Sequence, residues 1–229
     1  MGGIALVTGA NRGIGLEVCR QLAQQDYRVL LTARDFGKAE DAAEDLGRDN
    51  IVPLQLDVTN DASIRGVAAE VEARYGHLDV LVNNAGAYYD YWQTALDADF
   101  ATVRAAADVN LYGPWRMAKA FTPLLKKSEH PRIVNVSSGA AALNSLGAGP
   151  PAYIASKAAL NALTRMLTAE LREHGLLVNA ICPGWVATDP NNPGGRPIPE
   201  GAAGIVWAAT LPDDGPTGGF FRDEAPLEW

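Results

Sequence analysis

An apolar run, Ile4-Ala5-Leu6-Val7, leads straight into Thr8-Gly9-Ala10-Asn11-Arg12-Gly13-Ile14-Gly15. A helical pattern opens inside those glycines, over Gly13–Gln24, with Ile14, Val18 and Leu22 on one stripe. The unit is a short buried strand, a tight turn and a helix, and the chain repeats its rhythm. Apolar runs predict further strands at Arg28–Thr32, Ile51–Leu56, Asp79–Val82, Arg132–Val136 and Leu176–Ile181. Helical patterns lie at Lys38–Leu46, Ala62–Tyr75, Ala152–Glu173 and Pro199–Ala209, the last with proline at its start. A long helical stretch follows Leu96 and is expected to break near Gly113-Pro114, and Gly219–Phe221 reads as a short final strand.

Strands that are apolar on both faces and separated by helices require a parallel sheet covered on both sides. The expected architecture is therefore α/β: one Rossmann-type, doubly wound domain over residues 1–229, with about seven strands in the sheet. Ligands of such a sheet lie beyond the carboxyl ends of its strands, where the strand order reverses.

The formal net charge of −8 comes without any polybasic run, which argues against nucleic acid and anionic membrane as partners. No apolar stretch is long enough to span a bilayer, and the first residues lack the basic and apolar regions of a signal peptide. Cys19 and Cys182 are too few for a disulfide framework or a metal cluster, so reduced thiols and a cytoplasmic setting are expected.

Gly9, Gly13 and Gly15 follow the first strand and open the first helix. Without side chains there, backbone can turn tightly and approach a pyrophosphate, which meets the free N–H groups and positive dipole end of the helix. A dinucleotide is the ligand this predicts. At the end of the second strand a carboxylate would favour NAD. The chain instead has Thr32-Ala33-Arg34, and Arg34 with Arg12 can grip a 2′-phosphate, which favours NADP(H). Asp35, one position further on, is read as an ion-pair partner of Arg34.

Tyr153 and Lys157 are one helical turn apart and share a face. A free phenol, with a pKa of about 10, is a poor proton shuttle at neutral pH. A neighbouring ammonium favours the phenolate and would make Tyr153 a general acid for ketone reduction, or a base for alcohol oxidation. Ser138 is placed to hold the carbonyl oxygen by a hydrogen bond.

Taken in order, Thr8–Gly15, Asp57-Val58, Asn83-Asn84-Ala85-Gly86, Asn110, Ser138, Tyr153/Lys157 and Pro183-Gly184 resemble the short-chain dehydrogenase/reductases from end to end. Leu30 to Asp35, Cys182 to Asp189 and the ending Gly-Gly-Phe-Phe with Glu228-Trp229 look most like the NADPH-dependent carbonyl reductase branch. The resemblance implies that Gly9, Asn11, Arg12, Gly13, Ile14, Gly15 and Arg34 bind the cofactor. It places Asp57 and Val58 at the adenine, and has Asn83, Ala85 and Gly86 flank the adenosine ribose and steady the central strand. It implies that Asn110, through a helix irregularity, holds a water linking Lys157 to solvent, and that Lys157 also binds the nicotinamide ribose. Pro183, Gly184, Val186 and Thr188 would border the nicotinamide.

Two departures carry weight. Monomeric carbonyl reductases have a long insertion before the catalytic tyrosine, whereas only Gly139–Ala152 separates Ser138 from Tyr153 here, which points to a homodimer or homotetramer packed through the helices near Thr102–Leu125 and Ala152–Glu173. The proline- and glycine-rich stretch after Thr188 predicts an irregular substrate loop able to move without ligand. Tyr88, Tyr89, Tyr91 and Trp92 at the expected mouth, with Leu143 and Trp185, are candidate pocket walls, suited to an apolar or aromatic aldehyde, ketone or quinone. The leading expectation is an NADPH-dependent carbonyl reductase. Its alternatives are an alcohol dehydrogenase working toward oxidation and a non-catalytic NADP(H)-sensing regulator.

Overall fold

Helices and strands alternate through the computed structural model, which describes residues 2–188 and 194–229. In chain order they are β1 (Ile4–Val7), α1 (Gly13–Gln24), β2 (Arg28–Ala33), α2 (Phe36–Leu46), β3 (Ile51–Gln55), α3 (Asp61–Tyr75), β4 (Val80–Asn83), α4 (Phe100–Ala107), α5 (Gly113–Leu125), β5 (Arg132–Val136), α6 (Pro151–Leu171), β6 (Leu177–Ile181), α7 (Ile198–Ala209), β7 (Phe220–Arg222) and β8 (Ala225–Pro226). The strands form one sheet in the order β3-β2-β1-β4-β5-β6-β7-β8, parallel throughout except for β8, which returns antiparallel along β7.

Alternation along each strand divides the core into two layers. Ala5, Val7, Val29, Leu31, Val80 and Val82 face α1, α2 and α7, meeting Val18, Leu22, Ala39 and Ile205. Leu6, Leu30, Leu81, Ile133 and Val178 face the other way, onto Ile64 and Val67 of α3, Met117 and Phe121 of α5, and Leu160 and Leu163 of α6. Covering the sheet on both faces is what lets its inner strands carry apolar residues on both sides.

Helix starts follow their caps. Asp35 accepts from Lys38 N and starts α2 at Phe36, earlier than the apolar pattern indicated. Asp99 accepts from Ala101 N and Thr102 N, so α4 begins at Phe100 rather than just after Leu96. The expected break near Gly113-Pro114 does not occur. Instead α4 passes through a π-helical turn, Asp108–Tyr112, directly into α5. β8 has no counterpart in the apolar pattern of the sequence. Its hairpin turns at Asp223 and Glu224, both at positive φ (50° and 63°), where the sequence offers no glycine or asparagine to signal it.

Candidate active site

The strand order reverses between β1 and β4, and the crevice above their carboxyl ends is the site. Its floor is stitched together by main-chain and short polar groups. Thr8 Oγ1 accepts from Asn84 N and Ala85 N, both at 3.0 Å. Asn84 Nδ2 donates to Thr8 O at 2.8 Å and to Gly9 O at 3.1 Å. The loop after β4 thereby fixes the glycine turn after β1. Gly13 adopts φ 59°, open to glycine and strained for other residues. A Cβ on Gly15 would collide with Asn84 Nδ2. α1 has no side-chain cap, Arg12 standing extended at its start. A glycine-rich turn against an uncapped helix N-terminus fits the pyrophosphate of a dinucleotide.

A cleft of about 710 Å³ opens beside this turn, lined by Gly9, Asn11, Arg12, Gly13, Ile14, Gly15, Arg34, Asp57 and Val58 and also by Tyr153, Lys157, Pro183 and Thr188. Ala85 and Gly86 line it too. Arg12 and Arg34 are exposed on its rim. Among the described residues the arginine ion pairs belong instead to Arg20, Arg74, Arg116, Arg132 and Arg196. Asp35 does not pair with Arg34, because its carboxylate is occupied in capping α2. Asp57 Oδ1 accepts from Thr59 N at 2.9 Å and Thr59 Oγ1 at 2.7 Å, which sets the turn after β3.

Asn83 does not line the cleft, but it does steady the central strand. It is buried at the end of β4, in register with Asn135 of β5, and its Nδ2 donates to Asn135 Oδ1 at 2.9 Å. Its neighbour Asn84 takes the place at the cleft wall. Leu56, Thr59, Val109, Val136 and Ser137 line the cleft as well. These residues carry no motif of their own, and only their position at strand ends could have pointed to them.

At the chemical end, α6 presents Tyr153 and Lys157 together. Lys157 is buried, and its Nζ donates to Val136 O at 2.8 Å and stands 5.9 Å from the centroid of the Tyr153 ring. Burial pushes the Lys157 ammonium down to about 8. Burial also pushes the Tyr153 phenol well above its ordinary range. The Tyr89 phenol adds to that shift, and a hydrogen bond with the Ser138 side chain opposes it. The direction is opposite to the depression expected from Lys157 alone, since a desolvated phenolate outweighs an ammonium that is itself hydrogen-bonded to main chain. The Tyr89 ring lies over Tyr153 with centroids 4.5 Å apart.

Ser138, half-buried, follows β5 and its Oγ accepts from Ala140 N at 3.3 Å, beginning the turn Gly139–Ala141. Asn110 sits in the π turn, fully buried. Its Oδ1 accepts from Ala87 N, and its Nδ2 donates to Ala87 O and Ser156 Oγ. Pro114, four residues on, has no N–H to give the Asn110 carbonyl an α-helical partner. The irregularity that the resemblance implied thus has a local cause.

The expected pocket walls divide. Tyr88 and Tyr89 line the cleft, whereas Tyr91, Trp92, Leu143 and Trp185 are exposed beyond its lining. Gly184 and Val186 also stand outside that lining; Val186 forms a bridge with Arg196, and Trp185 Nε1 donates to Gly194 O at 2.6 Å. The expected mobile loop falls largely on residues 189–193, which lie outside the described residues.

Residues 3–196 match the family model for short chain dehydrogenase. The chain belongs to the short chain dehydrogenase family. Among curated members of that family it is similar to (+)-neomenthol dehydrogenase of Arabidopsis thaliana, 36% identical with 98% of this chain and 97% of the relative covered. It is also 32% identical to salutaridine reductase of Papaver bracteatum, with 97% and 94% covered. These alignments extend over 290 and 297 positions, more than the 229 residues of this short chain dehydrogenase, so the relatives carry insertions that it lacks. Among solved structures, NADPH-bound carbonyl reductase from chicken fatty liver superposes with a TM-score of 0.88 at 30% identity, covering 99% of this chain and 98% of that one.

Proposed function

We propose that this short chain dehydrogenase is an NADPH-dependent reductase of ketone, aldehyde or quinone carbonyls, with residues 1–229 acting as one catalytic unit. The observation that carries the reading is the convergence of Tyr153, Lys157 and the glycine turn on one cleft. The likeness to an NADPH-bound carbonyl reductase supports it.

NADPH, when bound, supplies the hydride. The glycine turn and the α1 N-terminus would hold its pyrophosphate, with Arg12 and Arg34 at the 2′-phosphate and Ala85 and Gly86 along the adenosine ribose. Tyr153 gives its phenolic proton to the substrate oxygen, and Ser138 orients that oxygen by a hydrogen bond. Lys157 stabilises the phenolate left behind, and a phenol shifted upward by burial retains its proton until the substrate oxygen demands it. The Asn110 main-chain carbonyl, which gets no N–H from Pro114, would hold a water on the route by which Tyr153 is reprotonated. Tyr88 and Tyr89 give the substrate an aromatic wall suited to an apolar carbonyl compound.

Among the described residues no helix is long and apolar enough to cross a membrane. We assign the protein to the cytoplasm, in keeping with its buried free thiols Cys19 and Cys182. A homodimer or homotetramer is supported by the exposed Tyr112, Trp115 and Met166 on the π turn, α5 and α6. Consumption of NADPH, with NADH in parallel, over a panel of aldehydes, ketones, quinones and keto esters tests the function. Turnover of an apolar carbonyl with NADPH is expected, and its absence across the panel contradicts the reading.

A further inference from the structure

The helix that carries Tyr153 starts without a cap of its own. Pro150 stands at its N-cap and Pro151 at its first position, so neither offers a hydrogen-bonding side chain. The first orphan donors are Ala152 N and Tyr153 N. A residue at the helix start ordinarily accepts from them. Here both go to one carboxylate from a distant part of the chain. Asp90 Oδ2 accepts from Ala152 N at 2.8 Å and Oδ1 from Tyr153 N at 3.0 Å. Gln93 Nε2 donates to the same Oδ2 at 2.7 Å. Asp90 is fully buried, and every bond of its carboxylate is one it accepts, as suits a charged carboxylate at a helix N-terminus.

We propose that Asp90 is a positioning residue for the Tyr153 proton donor, pinning the segment that carries Tyr89 to the first turn of α6. The proposal rests on the reading of Tyr153 as that donor. Tyr89 immediately precedes Asp90, and its ring lies 4.5 Å from that of Tyr153, tilted by 30°. Tyr88, one residue earlier, is held at φ 67°, a left-handed conformation that a tyrosine keeps only where its surroundings impose it. The segment is clamped at both ends. Asn110 grips the N–H and carbonyl of Ala87, and α6 grips Asp90. One carboxylate therefore sets the main chain of the proton donor and holds the ring that walls it. A loosened segment would let both shift, and small misplacements of reacting groups lower turnover steeply.

The test compares Asp90→Asn, Asp90→Ala and the double variant Asp90→Ala/Pro150→Ser, in which serine supplies α6 with a cap of its own. The readouts are kcat, KM for the carbonyl substrate, NADPH affinity by fluorescence titration, and Tm. Asp90→Asn is expected to lower kcat by about tenfold or more while NADPH affinity stays within about twofold. The double variant is expected to regain Tm over Asp90→Ala without regaining kcat. Recovery of kcat together with Tm would reduce Asp90 to a helix cap and overturn the proposal, as would wild-type kcat in Asp90→Asn. Tyr153→Phe is assayed beside them. If it is inactive while the Asp90 variants keep full kcat, only the positioning role falls; if it keeps turnover, the proton-donor reading falls and this proposal with it.

Discussion

Lys157 Nζ donates to the carbonyl oxygen of Val136 at 2.8 Å, tying the catalytic helix to the end of the central strand β5. The bond is buried, and burial lowers the Lys157 pKa to about 8 from an ordinary value of about 10.4. Below pH about 8 both folded and unfolded chains hold the proton, and the fold bears the full penalty of a buried ammonium. Between about 8 and about 10 the folded protein releases the proton and the unfolded chain keeps it, so stability rises with pH, by about 3 kcal/mol in this residue's share. Above about 10 the buried Tyr153 acts in the opposite sense, since its phenol keeps a proton that the unfolded chain loses. Denaturant unfolding of the cofactor-free protein at pH 7.5 and 9.5 is expected to show wild type gaining stability relative to Lys157→Met. Equal pH dependence in the two proteins would refute the assignment.

Arg34 stands on the cleft rim with its neighbouring carboxylate, Asp35, committed to capping α2. Arg34→Asp removes a 2′-phosphate ligand and presents a charge that repels it. The ratio of kcat/KM for NADPH to that for NADH is expected to fall by about 100-fold, equivalent to about 2.7 kcal/mol. An unchanged ratio in steady-state kinetics counts against the cofactor assignment.

Much of the frame could be read from residue pattern alone because the sheet is buried on both faces. The helix Gly13–Gln24 and the strand Arg132–Val136 have the bounds their periodicity indicates. What escaped depends on contacts between distant segments. Asn83 looks like a cleft residue until β4 and β5 are paired and its amide meets Asn135. Asp35 looks like a partner for Arg34 until the first turn of α2 competes for it. Asp90 gives no local signal, since its partners lie 62 and 63 residues further along the chain. The shift of Tyr153 is of the same kind, since spacing reveals Lys157 but not the desolvation that opposes it.

Asn110 satisfies both main-chain groups of Ala87 from inside the π turn. Asn110→Ala leaves those part-buried groups without their side-chain partner, and a loss of about 2 kcal/mol in unfolding free energy is expected. Turnover should fall as well, since Ala87 leads into the Tyr88–Asp90 segment. A thermal melt matching wild type would show that the clamp does not hold.

The central claim is that Tyr153 delivers the proton to a reduced carbonyl. Tyr153→Phe keeps the ring that packs against Tyr89 and removes only the hydroxyl. The decisive measurement is the rate of NADPH oxidation by this variant under saturating carbonyl substrate, with NADPH binding followed separately by fluorescence. The account predicts near-normal binding and turnover lowered by at least about 100-fold. Turnover close to wild type with NADPH bound would contradict it.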